Sequence, residues 1–184
     1  MKTCHQTPTQ TVLEHGESVQ DNLSRISAHL DGDDGTGLKL PDWCYQYRKE
    51  LLENCYGADV TGPYTVYHDC GKPYCRVVDD QGRQHFPDHA AVSKRVWLEA
   101  GGERLVGDLI GYDMCLHTML AEEIPTYLLV WGQRITCTLL LVALSEIHSN
   151  AALFGGIESI SFKTKFKQLD RRGRAITKSM WGDR

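Results

Sequence analysis

The sequence predicts an all-α fold. Apolar residues recur at helical spacing in several separate runs, and clusters of glycine and proline punctuate those runs. Only one short segment carries a hairpin signal. A chain of 184 residues suits a single domain, 1–184, and is long enough to bury a sizeable core.

The first helix opens at Thr11-Val12-Leu13-Glu14, a capping-box sequence in which hydroxyl and carboxylate each satisfy an orphan backbone N–H. Val12, Val19, Leu23, Ile26 and Leu30 then share one face, with His15 on or beside it. The polar, glycine-rich stretch from Asp31 to Gly37, which includes Asp34 and Thr36, ends this helix. Pro41 can sit in the first turn of the next helix, where Cys44, Tyr47, Leu51 and Cys55 fall at helical spacing. Gly57 to Pro63 is a further break, after which a short helix carries Tyr67-His68-Asp69 until Gly71 and Pro73 stop it.

Arg76 to Arg83 is the hairpin-like segment, with Asp79-Asp80-Gln81-Gly82 as a turn between short extended pieces, so a loop of that kind is expected near 76–86. Asp88 can cap a helix running to about Glu99. Pro87 lies between His85 and His89, which puts His85 in the preceding loop and His89 in the first helical turn. After the Gly101-Gly102 break, Leu105, Leu109, Tyr112, Leu116 and Met119 mark an amphipathic helix with Asp113 beside its buried stripe. Two more helices are expected, from about Glu122 and from about Ile135. Phe154 to Ser159 reads as a turn into the last helical region.

A charged fraction of 24% and a net charge of −4 argue against disorder and against wholesale electrostatic binding of nucleic acid. The seven cysteines contain no Cys-x-x-Cys pair, which removes the zinc-ribbon and thioredoxin readings and suggests core thiols in a reducing compartment. The most apolar run, from Ile135 to Ile147, is far short of the ~20 residues of a membrane span and reads as a buried helix. A cytoplasmic setting without a membrane is therefore expected.

Chemistry concentrates in residues 66–89. His68, Asp69, His85 and His89 combine imidazole nitrogen with carboxylate oxygen, a ligand set that suits borderline divalent metals, and Lys72 adds a cation suited to phosphate. The stretch His68-Asp69-x-Gly71-Lys72-Pro73, then a turn and His85-Phe86-x-x-His89, resembles the HD superfamily of metal-dependent phosphohydrolases. It is especially similar to HD domains attached to tRNA nucleotidyltransferases and to those fused to polynucleotide kinases in RNA end-healing enzymes. That family sets a histidine on an upstream helix and an aspartate on a downstream one. His15 and Asp113 match these positions, so the resemblance covers about residues 10–120.

The resemblance implies a compact HD-type helical domain holding one or two divalent ions (Mn, Fe, Co, Ni, Zn or Mg). His15, His68, Asp69 and Asp113 would bind the first. His85 and His89 would either build a second site, with Asp69 bridging, or protonate the leaving group and contact the phosphate beside a single ion. Asp69 and Lys72 are the expected catalytic residues, and Lys72, Arg76, Lys163 and Lys165 the expected contacts to substrate. The expected reaction is hydrolysis of a phosphate ester on a nucleotide or RNA end, of the 2′,3′-cyclic or 2′-phosphate type, with RNA repair proteins as candidate partners. Hydrolysis of free (d)NTPs or nucleotides, and a non-catalytic nucleic-acid-binding module, are the alternatives. His117 either supports the site from behind or packs structurally, and His148 either packs or lines the pocket.

The C-terminal segment 161–184 is basic. From Lys163 onward it carries eight Lys and Arg against two Asp, with Phe162 and Phe166 beside the first lysines. Such a patch attracts a phosphate backbone or pairs with acidic helices elsewhere.

Overall fold

The computed structural model describes residues 1–7, 9–33, 35 and 37–182. The chain is mostly helical, at 68%, as its periodicity predicts. The helices are α1 (Val12–Leu30), α2 (Asp42–Gln46), α3 (Arg48–Asn54), α4 (Ala58–Tyr67), α5 (Lys72–Cys75), α6 (His89–Glu99), α7 (Arg104–Tyr112), α8 (Cys115–Thr118), α9 (Ile124–Ser149) and α10 (Ile160–Trp181). Two small hairpins accompany them, β1 (His5–Thr7) with β2 (Gln10–Thr11), and β3 (Val77–Val78) with β4 (Gln84–His85). Contacts group the residues into two compact units, Met1–Gln20 with Ala58–Met114, and Asp21–Gly57 with Cys115–Arg184.

In the first unit the capping box forms as the sequence dictates. Thr11 N–H donates to Glu14 Oε2 at 2.7 Å and Glu14 N–H to Thr11 Oγ1 at 3.2 Å. The β1–β2 pairing just before it, His5 with Thr11 and Thr7 with Gln10, is a feature the sequence reading did not anticipate. α4 packs on α7, α7 on α6, and α6 on α5. Val60, Tyr64, Val106, Leu109 and Ile110 are buried among them.

Two expected boundaries move. The break after Gly57 does not reach Pro63, because α4 starts at Ala58 and contains the proline. Pro63 cannot donate to the Asp59 carbonyl, but Asp59 is exposed in the first turn, where solvent can satisfy it. His68 and Asp69 therefore follow the end of α4 rather than sitting within a helix. Likewise the run from Leu105 to Met119 is not one helix but α7 and α8. The expected hairpin is present: Val77 pairs with His85 and Val78 with Gln84, around a turn with Gly82 at φ 77°. Asp88 does precede α6, but its backbone is left-handed (φ 50°) and its side chain caps nothing.

In the second unit α9 packs against α10, α3 and α8, and α10 also meets α2. Leu139, Leu140, Leu141, Leu144, Phe162, Leu169, Ile176 and Trp43 are buried there, each such side chain contributing about 1.5–3 kcal/mol. Gly132, at φ 69° and ψ 177°, interrupts α9 where the sequence separates two helices. With its preceding turn the stretch Ala121–Ser149 has the length and hydropathy (1.6) of a membrane span, more than the apolar core alone suggests, yet 61% of its most apolar window is buried. Ser159 caps α10 by accepting from Phe162 N–H at 3.0 Å. All seven cysteines are free thiols, and burial raises the pKa of Cys137 to about 12 and that of Cys44 well above the ordinary value, so both stay protonated.

Candidate metal centre

Four of the six expected ligand residues are buried in the first unit: His15, His68, Asp69 and Asp113. α1 delivers His15, and the turn after α4 delivers His68 and Asp69. The two imidazole rings lie 5.2 Å apart, edge to face, with a nitrogen of each within 4.8 Å of the other. Two imidazole nitrogens so placed are donors of the kind that borderline divalent ions take.

Asp69 is the hub. Its Oδ2 lies 3.3 Å from His68 Nε2 and 3.9 Å from His15 Nε2, while its Oδ1 lies 3.6 Å from His89 Nε2. Oδ1 accepts no hydrogen bond among the described residues, although it is buried. Lys72 Nζ donates to Oδ2 at 2.5 Å and to Gln6 Oε1 at 2.8 Å, and sits 5.4 Å from the centre of the Phe86 ring. Burial pushes the Asp69 pKa up, but the charges of His68, Lys72 and His15 outweigh it. The carboxyl is held well below the usual carboxylate range.

The tautomers of two rings follow from their partners. His68 Nδ1 lies 2.7 Å from the Thr65 carbonyl and His89 Nδ1 lies 3.0 Å from the Phe86 carbonyl. A carbonyl only accepts, so both Nδ1 atoms carry the proton and both Nε2 atoms turn toward Asp69. A ring nitrogen can face a carboxylate either as an imidazolium or as a ligand to a shared cation. A divalent ion among the Nε2 atoms and the orphaned Oδ1 fits this donor set, and the backbone carbonyls behind the rings fix their orientation.

The remaining expected residues fall in different places. Asp113 follows α7, where its Oδ1 accepts from Tyr64 O–H at 2.7 Å. His85 is exposed on β4 and its Nε2 meets Asp79 Oδ2 at 2.9 Å, which holds the Asp79 carboxyl down at about 2. Both residues of β3 and both of β4 are exposed, so the whole hairpin, His85 included, faces solvent. Arg76 Nε donates to Gln84 Oε1 across the same hairpin. In the second unit, exposed Lys163 pairs with Glu158 at 2.7 Å, and Lys165 is exposed. His117 pairs with the buried carboxylate of Glu146 at 2.8 Å. His148 packs against Phe162 and Phe166 and meets the Lys39 carbonyl.

Sequence reasoning missed Tyr64 and Gln6. Tyr64 lies on α4, four residues before His68, and in the sequence it is indistinguishable from an ordinary core tyrosine. Gln6 lies 66 residues from Lys72 and had no local signal. No known protein family, curated protein or solved structure matches the chain.

Proposed function

We propose that the first unit carries a metal-dependent phosphohydrolase centre of the HD type, acting on phosphate esters of nucleotides or RNA ends. The convergence of three Nε2 atoms on Asp69, two of them with tautomers set by backbone carbonyls, carries this reading. His15, His68 and Asp69 would hold the ion. A divalent ion in such a site lowers the pKa of a coordinated water and polarises a phosphoryl oxygen. Lys72 keeps Asp69 ionised and fixes Oδ2, so its first task is positioning, with one N–H left for a phosphate oxygen. His89, the more exposed of the three rings, turns its unprotonated Nε2 toward Asp69 Oδ1 and would add a further donor to the ion.

The test is metal content and hydrolysis measured together on the full chain. His68→Ala and Asp69→Ala should lose bound metal and hydrolysis of a panel spanning 2′,3′-cyclic nucleotides, nucleoside monophosphates and (d)NTPs, while circular dichroism stays helical. Near wild-type turnover of both variants with added manganese would overturn the assignment, and the panel separates the RNA-end reading from that of free nucleotides.

A further inference from the structure

The second unit holds a cavity of about 380 Å³ that the proposed chemistry does not use. One wall is apolar, formed by Met119, Leu120 and Ile124, and the other presents Gln168, Arg171 and Arg172 from α10. Leu120 is 57% exposed at the rim, a large side chain left in contact with solvent. Arg172 Nε donates to the Met119 carbonyl at 2.9 Å, which anchors the guanidinium on the cavity wall and leaves its terminal N–H groups to point elsewhere. Among the described residues neither arginine pairs with a carboxylate, since Asp170 is taken by Arg174 and Glu123 by the backbone of Leu120.

From this geometry we propose that the cavity binds an organic phosphate with a flat apolar body. Two adjacent guanidiniums without acidic partners match a dianion better than a single carboxylate, and guanidinium donors suit phosphate oxygens in pairs. The facing apolar wall has no use for bare phosphate but covers a ring. The volume lies at the lower end for small-molecule sites, which limits the occupant to about the size of a mononucleotide. The proposal is independent of the metal-centre reading, because every residue that carries it lies on α8 to α10 and the turn between them.

Isothermal titration of the full chain with 1-naphthylphosphonate, which cannot be hydrolysed, tests it against inorganic phosphate (head alone) and 1-naphthol (body alone). The phosphonate should bind roughly tenfold or more tightly than either fragment. Arg171→Ala and Arg172→Lys should each weaken it by about tenfold or more, as for loss of a charge-assisted hydrogen bond. Ala175→Phe, which fills the cavity from a lining position without altering charge, should abolish binding, and His68→Ala should leave it unchanged. Binding that survives Ala175→Phe, that is no tighter than phosphate alone, or that disappears in His68→Ala would overturn the proposal. Thermal melts of each variant separate lost binding from lost folding, and Arg171, exposed and without a hydrogen bond or ion pair among the described residues, supplies a variant whose melt should match wild type.

Discussion

Gly16→Ala tests how α1 delivers His15 to the centre. A Cβ at Gly16 would fall inside contact distance of the Val66 carbonyl oxygen, 2.8 Å from the carbonyl carbon and 2.9 Å from Val66 Cα. Carbon atoms pack at about 3.5–4.0 Å, so α1 and α4 would have to part by about 1 Å at this point. The obstacle is helical backbone and cannot swing aside as a side chain would. Overpacking of this kind costs about 1–3 kcal/mol, against roughly 1 kcal/mol regained from the better helix propensity of alanine. A net loss of about 1–2 kcal/mol is expected. Metal affinity should suffer more, because His15 moves with α1 and ligand bonds tolerate only about 0.2 Å; a fall of about 10–100-fold is expected. Gly62→Ala on α4 is the control. Its Cβ would meet only the Gln20 amide at 3.4 Å, and because Gly62 precedes Pro63 the propensity gain is offset by the proline ring, so stability should change by less than about 1 kcal/mol. Urea denaturation of metal-stripped protein and a metal titration read the two effects separately. A Gly16→Ala protein with wild-type midpoint and wild-type metal affinity would refute the idea that this close approach sets the His15–His68 geometry.

Tyr64→Phe removes a buried donor from Asp113 and should cost about 1–3 kcal/mol in urea denaturation; a neutral result would show that Asp113 finds an equal partner. His89→Ala should weaken metal binding while His85→Ala leaves metal content unchanged, because His89 faces Asp69 and His85 is committed to Asp79. Equal losses in the two variants would contradict these placements. Burial lowers the pKa of His148, aided by Arg25 and opposed by the hydrogen bond to Lys39. The folded value therefore lies below the unfolded one of about 6.5, and stability present above that pH is lost as pH falls through the folded value. Comparing denaturation of His148→Gln with wild type between about pH 5 and 7.5 should show a shallower slope in the variant. A wild-type slope in the variant would assign the effect to another group.

What the sequence disclosed depended on the range over which each choice is made. The Thr11–Glu14 box and the Asp79–Gly82 turn were legible because each is settled within four or five residues; two helices were expected from about Glu122 and Ile135, but the Gly132 break between them was not located in the sequence. The end of α4 was less so: proline usually marks a boundary, but here the freed carbonyl falls in an exposed first turn and the helix continues. His85 and His89 illustrate the limit for the site. Both are histidines in one short segment, and composition cannot separate them. The difference arises because β4 pairs with β3 and turns His85 to solvent beside Asp79, whereas the reversal at Asp88 starts α6 with the His89 Nδ1 on a carbonyl and its Nε2 inward. The least legible part is the support. Lys72 reads as a phosphate-binding lysine, yet its ammonium is shared between Asp69 and Gln6 from β1, so a two-stranded hairpin near the N-terminus helps to set the charge of the central carboxylate. Sequence spacing names candidate ligands well because a metal demands particular atoms; it names their supports poorly because any amide at the right place would serve.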